Sequence, residues 1–250
     1  MNILLTNDDS YDSPLFHILY DILRDCGHEI DCVMPATEQS WKGKSMTRLG
    51  NLQASEADID GRKFTIFEGT PADCVNFGLH HVCQKRPELV ISGINMGYNV
   101  SLSYILSSGT VGAAIESYLD GIPSLSISQQ LNTELFKYWH DTRTFPEKAS
   151  TRLKDQFKTI YDFFENDLLR LSKSEELWSL ELPCFLKDDW SITSSKPSRA
   201  HYGSTFIKNS DGTYSHCSPR LSPDNNPNSD INIMESGNVA LNKLDFKSLC

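Results

Sequence analysis

The chain has 250 residues, 39% of them hydrophobic and 22% charged, with a formal net charge of −10 at pH 7. That length suffices for a substantial core in one large domain or a core plus an appendage. The acidic balance argues against clamping a long nucleic acid, which needs a cationic face, and no apolar stretch approaches the roughly 20 residues that span a bilayer.

The N-terminus shows neither a basic leader nor a small-residue cleavage site, so the expected location is the cytoplasm. The seven cysteines, Cys26, Cys32, Cys74, Cys83, Cys184, Cys217 and Cys250, are scattered, odd in number and never spaced Cys-x-x-Cys. That pattern fits reduced, mostly buried thiols and argues against structural zinc.

In chain order, "NILLT" is an apolar run of strand length. "SPLFHILYDILRDCG" puts Leu15, Ile18, Leu19, Ile22 and Leu23 on one helical face, with Ser13 as cap, Pro14 at the first position and Gly27 as stop. "EIDCVMP" is the next strand, and the β-α-β start predicts a parallel sheet with a right-handed crossover. After a polar loop over residues 35–48, "NLQASEADIDGRKFTIFEG" predicts a hairpin turning at Asp60-Gly61.

"TPADCVNFGLHHVC" predicts a helix capped by Thr70, with Pro71 at its first position and His80 and His81 near its C-terminus, where a helix end favours them. "ELVIS" is a strand leading into the Gly/Asn-rich "GINMGYN". "SGTVGAAIESYLDG" is a helix with Val111, Ala114, Ile115, Tyr118 and Leu119 facing inward, and "IPSLSIS" is one more strand. Beyond residue 129 the pattern predicts a long helix over 147–172, an irregular "LWSLELPCFL", β structure in "WSITSS", and a hairpin turning at Asp211-Gly212. "LSPDNNPNSD" reads as an exposed, turn-rich stretch.

Four of these stretches sit at the carboxyl ends of strands or at a helix start, where open α/β sheets bind ligands. Asp8 and Asp9 offer anionic oxygens, Ser40 a hydroxyl and Asn95 an amide oxygen. That donor set suits Mg²⁺ or Mn²⁺ rather than zinc. Asp188-Asp189 serves as an internal control, since it follows no buried-strand pattern and reads as a solvated turn.

Ser108, Gly109 and Thr110 read as an anion cradle at a helix start, with an ordinary N-cap as the plainer alternative. There is no Walker A loop and no dinucleotide fingerprint. Asn99 reads as a phosphate or metal-shell contact or a loop cap; His201 and Arg199 read as solvated loop residues or a second-half contribution to the site.

Taken together, "ILLTNDD", the P-x-x-x-x-S loop ending at Ser40 with its "SMT", "GTPADCV", "ELVISGIN", "SGTVGAAIE" and "GIPSLSIS" resemble the SurE family of survival proteins. The resemblance is nearly continuous over residues 1–128 and resumes in "SDINIMESGNVALNKL". It implies an α/β fold with a Rossmann-like three-layer core and a mainly parallel sheet. It implies one domain over 1–250: a metal- and phosphate-binding core in 1–128, then a long helix, β-hairpin and C-terminal extension used in oligomerisation.

It further implies one divalent cation on Asp8, Asp9, Ser40 and Asn95, with Asp8 and Asp9 catalytic and Asn99, Ser108, Gly109 and Thr110 binding phosphate. The implied activity is hydrolysis of nucleoside 5′- and 3′-monophosphates, with short polyphosphate as a further substrate, by a homodimer or homotetramer. Partners other than substrate, whether nucleic acid polymer or membrane, are not expected.

Three positions depart from the family pattern: Ser10 after the aspartates, Trp41 after the serine, and Ser101 in Asn99-Val100-Ser101, where relatives carry glycine. A glycine with positive φ replaced there costs about 1–2 kcal/mol per residue. The departures keep open a degenerate member that binds nucleotide without turnover. An aspartyl-phosphate phosphatase lacks its Asp-x-Asp spacing here, and a receiver-like domain lacks its phosphorylatable Asp, Asn95 being the nearest equivalent.

Overall fold

The computed structural model describes residues 1–217 and 221–246. β1 (Asn2–Thr6), α1 (Pro14–Asp25) and β2 (Glu29–Pro35) form the expected unit, with the two strands parallel. The local chemistry is as the pattern predicts. The Ser13 side chain accepts from the Phe16 amide, Pro14 opens the helix, and Gly27 leaves it at φ +80°.

β3 (Ala54–Ile59) and β4 (Arg62–Phe67) pair antiparallel around Asp60 and Gly61, both left-handed, as a two-residue hairpin turn requires. α2 (Pro71–Phe77) starts on a reciprocal capping box between Thr70 and Asp73 and runs into a π-turn over Gly78–Val82. His80 at that end lies 3.5 Å from Asp120.

The chain continues through β5 (Leu89–Met96), α3 (Ser101–Ser107), α4 (Gly109–Leu119), β6 (Ser124–Gln129), α5 (Thr133–Thr142) and α6 (Glu147–Leu171). Then come β7 (Leu177–Leu182), β8 (Ile192–Ser195), the small hairpin of β9 (Phe206–Lys208) and β10 (Tyr214–His216), α7 (Asp230–Glu235) and β11 (Val239–Leu244).

Two expectations are corrected. "LWSLEL" is not irregular: it is β7, a strand with every residue buried, hydrogen-bonded parallel to β6 and antiparallel to β11. Its misreading follows from the polar Ser179 and Glu181, which sit inside rather than on a wet face. Leu119 is 65% exposed, and Ala113 and Ser117 take the inward positions on α4. The exposed Asp188-Asp189 pair is the solvated turn expected of it.

Nine strands form one sheet in the order β3-β4-β2-β1-β5-β6-β7-β11-β8, parallel except at β3-β4 and β7-β11. Alternate residues of each central strand face opposite layers. Ile3, Leu5 and Ile91 pack with α1 and α6, whereas Leu4, Val33 and Val90 pack with α2 and α4. Strands buried on both faces explain the near-continuous apolar runs.

The chain leaves β1 toward β2 on one side and returns to β5 on the other, so the topological switch point lies between β1 and β5. No helix among the described residues is long and apolar enough to cross a membrane. The six described cysteines are unbridged, with Cys32 and Cys74 buried and the other four half-buried; Cys250 lies outside the described residues.

Candidate active and metal site

Asp8 and Asp9 follow β1 at the switch point, and Asn95 lies in β5 beside it, one residue before the strand's end. Asn95 owes its placement to an irregularity: Ser92 pairs with Ser126, but Asn95 pairs with Ser128, one residue more on β5 than on β6. A bulge of this kind re-aims the side chains that follow it. Asp8, Ser40, Asn95, Asn99 and Ser108 all line one cleft of about 360 Å³, within the size range of small-molecule sites.

The two carboxylates are almost wholly buried, at 3% and 2% exposure. Asp8 Oδ1 accepts from the Thr110 hydroxyl at 2.6 Å, and Asp9 Oδ2 accepts from the Met96 amide at 2.8 Å. Burial pushes Asp8 up to about 6 despite the hydrogen bonds from Thr110. Burial, and after it the charge of Asp8, holds Asp9 well above the ordinary carboxylate range.

Among the described residues no Lys, Arg or His forms an ion pair with either aspartate; Arg143, whose charge is felt by Asp9, is bound 2.7 Å from Glu38. Two neighbouring buried carboxylates without a cation are the arrangement that a divalent ion relieves. No three His, Cys, Asp or Glu side chains cluster as a metal cage among the described residues. The residues therefore fit a hard cation held by one or two carboxylates, neutral oxygens and water, as Mg²⁺ is commonly held, and not a zinc cage.

Close approach shapes the rest. A Cβ on Gly109 would lie 2.9 Å from Asp8 Cβ and 3.0 Å from its Oδ2, so only glycine lets α4 start against the carboxylate. Ser108 caps α4, its Oγ accepting from the Val111 amide at 3.1 Å. The N-cap and cradle readings of Ser108 are thus compatible, since the capping hydroxyl also lines the cleft. Thr110 is fully buried and gives Asp8 both its hydroxyl and its backbone amide, so neither donor is left for an anion.

Asn99 is fastened from behind. Its Nδ2 donates to Ser128 Oγ at 2.8 Å, and its amide donates to Glu181 Oε2 at 2.7 Å. His201 and Arg199 do not line the cleft; both are exposed.

Glu38 and Glu181 escape a sequence reading. Glu38 accepts the Ser40 hydroxyl at 2.8 Å and so orients it. Its own position is set by Arg143, more than 100 residues away, which no local signal marks. Glu181 could have been suspected only as an acidic residue inside an apolar run.

The three departures from glycine all have left-handed backbone: Ser10 at φ +76°, Trp41 at +64° and Ser101 at +65°. Ser10 and Ser101 have hydrogen-bond compensation. Ser10 Oγ reaches the Ala36 carbonyl at 3.3 Å. Ser101, fully buried, donates its hydroxyl to Ala200 O at 2.6 Å and Ser198 O at 3.1 Å, and its amide to Asp230 at 2.8 Å.

Ser101→Ala keeps the backbone cost and loses the hydroxyl's hydrogen bond, while Ser198 O still accepts from the Leu102 amide and Ala200 O from the Ser103 hydroxyl. Ser101→Gly loses the same bond but relieves about 1 kcal/mol of backbone cost. Urea unfolding is expected to show Ser101→Ala less stable than wild type by about 1 kcal/mol and Ser101→Gly less affected. A Ser101→Ala protein as stable as wild type would mean the hydroxyl compensates nothing.

The sequence profile of the family described as Survival protein SurE matches residues 3–204. A protein from Methanopyrus kandleri named 5′-nucleotidase SurE is 43% identical over 131 residues, covering 52% of this chain and 49% of that protein. One of the same name from Methanococcoides burtonii is 27% identical over 247 residues, covering 98% and 93%. Matches thus span about half the length of some curated relatives and nearly all of another. A crystal structure of the SurE protein from Aquifex aeolicus superposes with a TM-score of 0.77 at 23% identity, covering 100% of this chain and 96% of that one, which shows a shared fold. A profile match over most of the chain, on a fold of the same topology, makes this chain a member of the SurE family.

Proposed function

We propose that this chain is a divalent-metal-dependent phosphomonoesterase that hydrolyses nucleoside 5′- and 3′-monophosphates, with short polyphosphate as a further substrate. The observation that carries the reading is the pair of buried carboxylates, Asp8 and Asp9, set against the N-terminus of α4 with no ion-paired side chain among the described residues. Support for nucleotides comes from the relatives named 5′-nucleotidase.

Asp8, Asp9, Ser40 and Asn95 would hold the cation. When bound, it supplies Lewis-acid polarisation of the phosphoryl group and acidifies water. The chain's own residues do the rest. Ser108 and the Gly109 amide hold phosphoryl oxygens at the start of α4, where the helix dipole favours negative charge, the Thr110 and Val111 amides being bonded to Asp8 and Ser108. Asn99 lines the cleft and, with its backbone amide spent on Glu181 and one Nδ2 hydrogen on Ser128, would offer its other Nδ2 hydrogen to a phosphoryl oxygen.

Asp9 is the candidate to take a proton from the attacking water, its carboxyl held well above the ordinary carboxylate range by burial and by the charge of Asp8. In-line displacement needs little covalent help beyond such positioning. We place the protein in the cytoplasm as a homodimer or homotetramer, the exposed β9-β10 hairpin supplying contacts. The three left-handed residues around the donors favour, as a second reading, a member that binds nucleotide with little turnover.

Phosphate release from a panel of 5′- and 3′-nucleotides, with Mn²⁺ or Mg²⁺ and with EDTA, tests the proposal. Release that requires metal and stops in EDTA is the expected result. EDTA-insensitive release would overturn the metal assignment, and nucleotide binding without release would establish the second reading.

A further inference from the structure

Trp41 stands where a residue with a Cβ is disfavoured, at φ +64°, yet its ring is not buried in recompense. It lines the cleft beside Ser40 and remains 37% exposed. Three rings brace it edge to face: Tyr104 at 5.5 Å, Tyr202 at 5.4 Å and His216 at 5.1 Å, with interplanar angles of 66°, 73° and 69°. Tyr98, also on the cleft, packs perpendicular to Tyr104 at 5.6 Å.

These partners come from α3, the segment before β9, and β10, so the indole is fixed from several parts of the fold. A tryptophan held rigid but left partly open is a π surface that loses little entropy on binding a planar ligand. Its Cα lies about 3.8 Å from that of Ser40, so the ring begins one residue from an oxygen donor of the cleft.

We propose that Trp41, together with Tyr98 and Tyr104, is a base-stacking wall that takes the nucleobase of a nucleotide lying in the cleft. The proposal rests on the phosphomonoesterase reading for the direction of the ligand, phosphate toward Ser108 and base toward Trp41. Stacking itself requires no hydrolysis. Among the described residues no lysine or arginine lines the cleft, so recognition at this end is by ring area and not by charge. Purines, with the larger face, are therefore preferred over pyrimidines, with little discrimination between adenine and guanine.

The test compares wild type with Trp41→Phe, Trp41→Leu and Trp41→Gly. Calorimetric titration with adenosine, which has no phosphate, reads the stacking contact alone. Steady-state hydrolysis of AMP and of ribose 5-phosphate reads its effect on turnover. The expected result is adenosine binding weakened roughly 10-fold in Trp41→Leu and Trp41→Gly and largely kept in Trp41→Phe. The KM for AMP rises in parallel, while ribose 5-phosphate kinetics stay near wild type.

A tryptophan that only braces the loop would move both substrates together, and that result would overturn the proposal. So would adenosine affinity unchanged in the Leu and Gly variants, or adenosine that does not bind wild type. Trp41-dependent adenosine binding in a protein that releases no phosphate would instead overturn the hydrolase reading and leave the stacking wall standing.

Discussion

Asp8→Asn and Asp9→Asn are each expected to make the metal-free protein more heat-stable while removing its response to Mn²⁺ and its phosphate release. The sign follows from the carboxyl groups' upward shifts. A buried carboxyl whose folded pKa is raised holds its proton where the unfolded chain has released it, so it costs stability above its ordinary pKa. At neutral pH an isosteric amide removes that cost yet still accepts from Thr110 at position 8 or from Met96 at position 9.

The metal-free melting temperature should rise by on the order of 5 °C, the scale that one or two kcal/mol gives in a chain of this size. Wild type should gain about 2.7 kcal/mol from Mn²⁺ at 100 times its Kd, and the variants little or none. Loss of several kcal/mol of phosphoryl stabilisation corresponds to about 10³-fold in rate. Differential scanning fluorimetry with and without Mn²⁺, beside phosphate release, reads both effects. Variants that keep the metal-induced shift and the rate would remove Asp8 and Asp9 from the site.

Glu181→Gln is expected to flatten the fall of stability between about pH 5 and pH 8. Glu181 is fully buried on β7, and burial lifts its carboxyl from the ordinary 4.5 to about 8, against hydrogen bonds from the Asn99 amide and the Ser179 and Ser128 hydroxyls. The folded protein therefore keeps a proton that the unfolded chain loses above about 4.5, and wild type loses stability as pH rises through this window until the folded group also ionises near 8.

Glutamine mimics the protonated form, and the Ser179 hydroxyl can rotate to accept from its amide. The two proteins should be alike near pH 5 and differ by up to a few kcal/mol near pH 8–9, with the variant the more stable. Asp8, Asp9 and Asp230 are also shifted upward, but they are common to both proteins and cancel in the difference. Urea midpoints measured at constant ionic strength from pH 5 to 9 give the comparison; parallel curves would show that Glu181 is already ionised in the folded state.

Most of the fold's first half was legible because its signals are local. An apolar run of strand length, a Ser or Thr before Pro, and Asp-Gly between alternating residues each act within a few residues, and β1, α1, α2 and the β3-β4 turn formed accordingly. The two aspartates were legible for a related reason: a charged pair at the end of a buried strand is conspicuous wherever the strand goes. β7 failed the same test, because Glu181 and Ser179 look like surface residues until Asn99 and Ser128 are brought against them.

The residue types and order along the chain thus carried the strands, the caps and the oxygen-donor chemistry of Asp8, Asp9, Ser40 and Asn95. Folding settled which atoms of those residues are available and which are spent on each other. Thr110 turned its hydroxyl onto Asp8, Glu38 took Ser40 and was itself taken by Arg143, and Trp41 found Tyr202 and His216. Each of these pairs spans at least 100 positions except Glu38–Ser40, and contacts at that separation depend on how whole layers pack. Local propensity has no term for them; burial, close approach at Gly109 and the β5 bulge do.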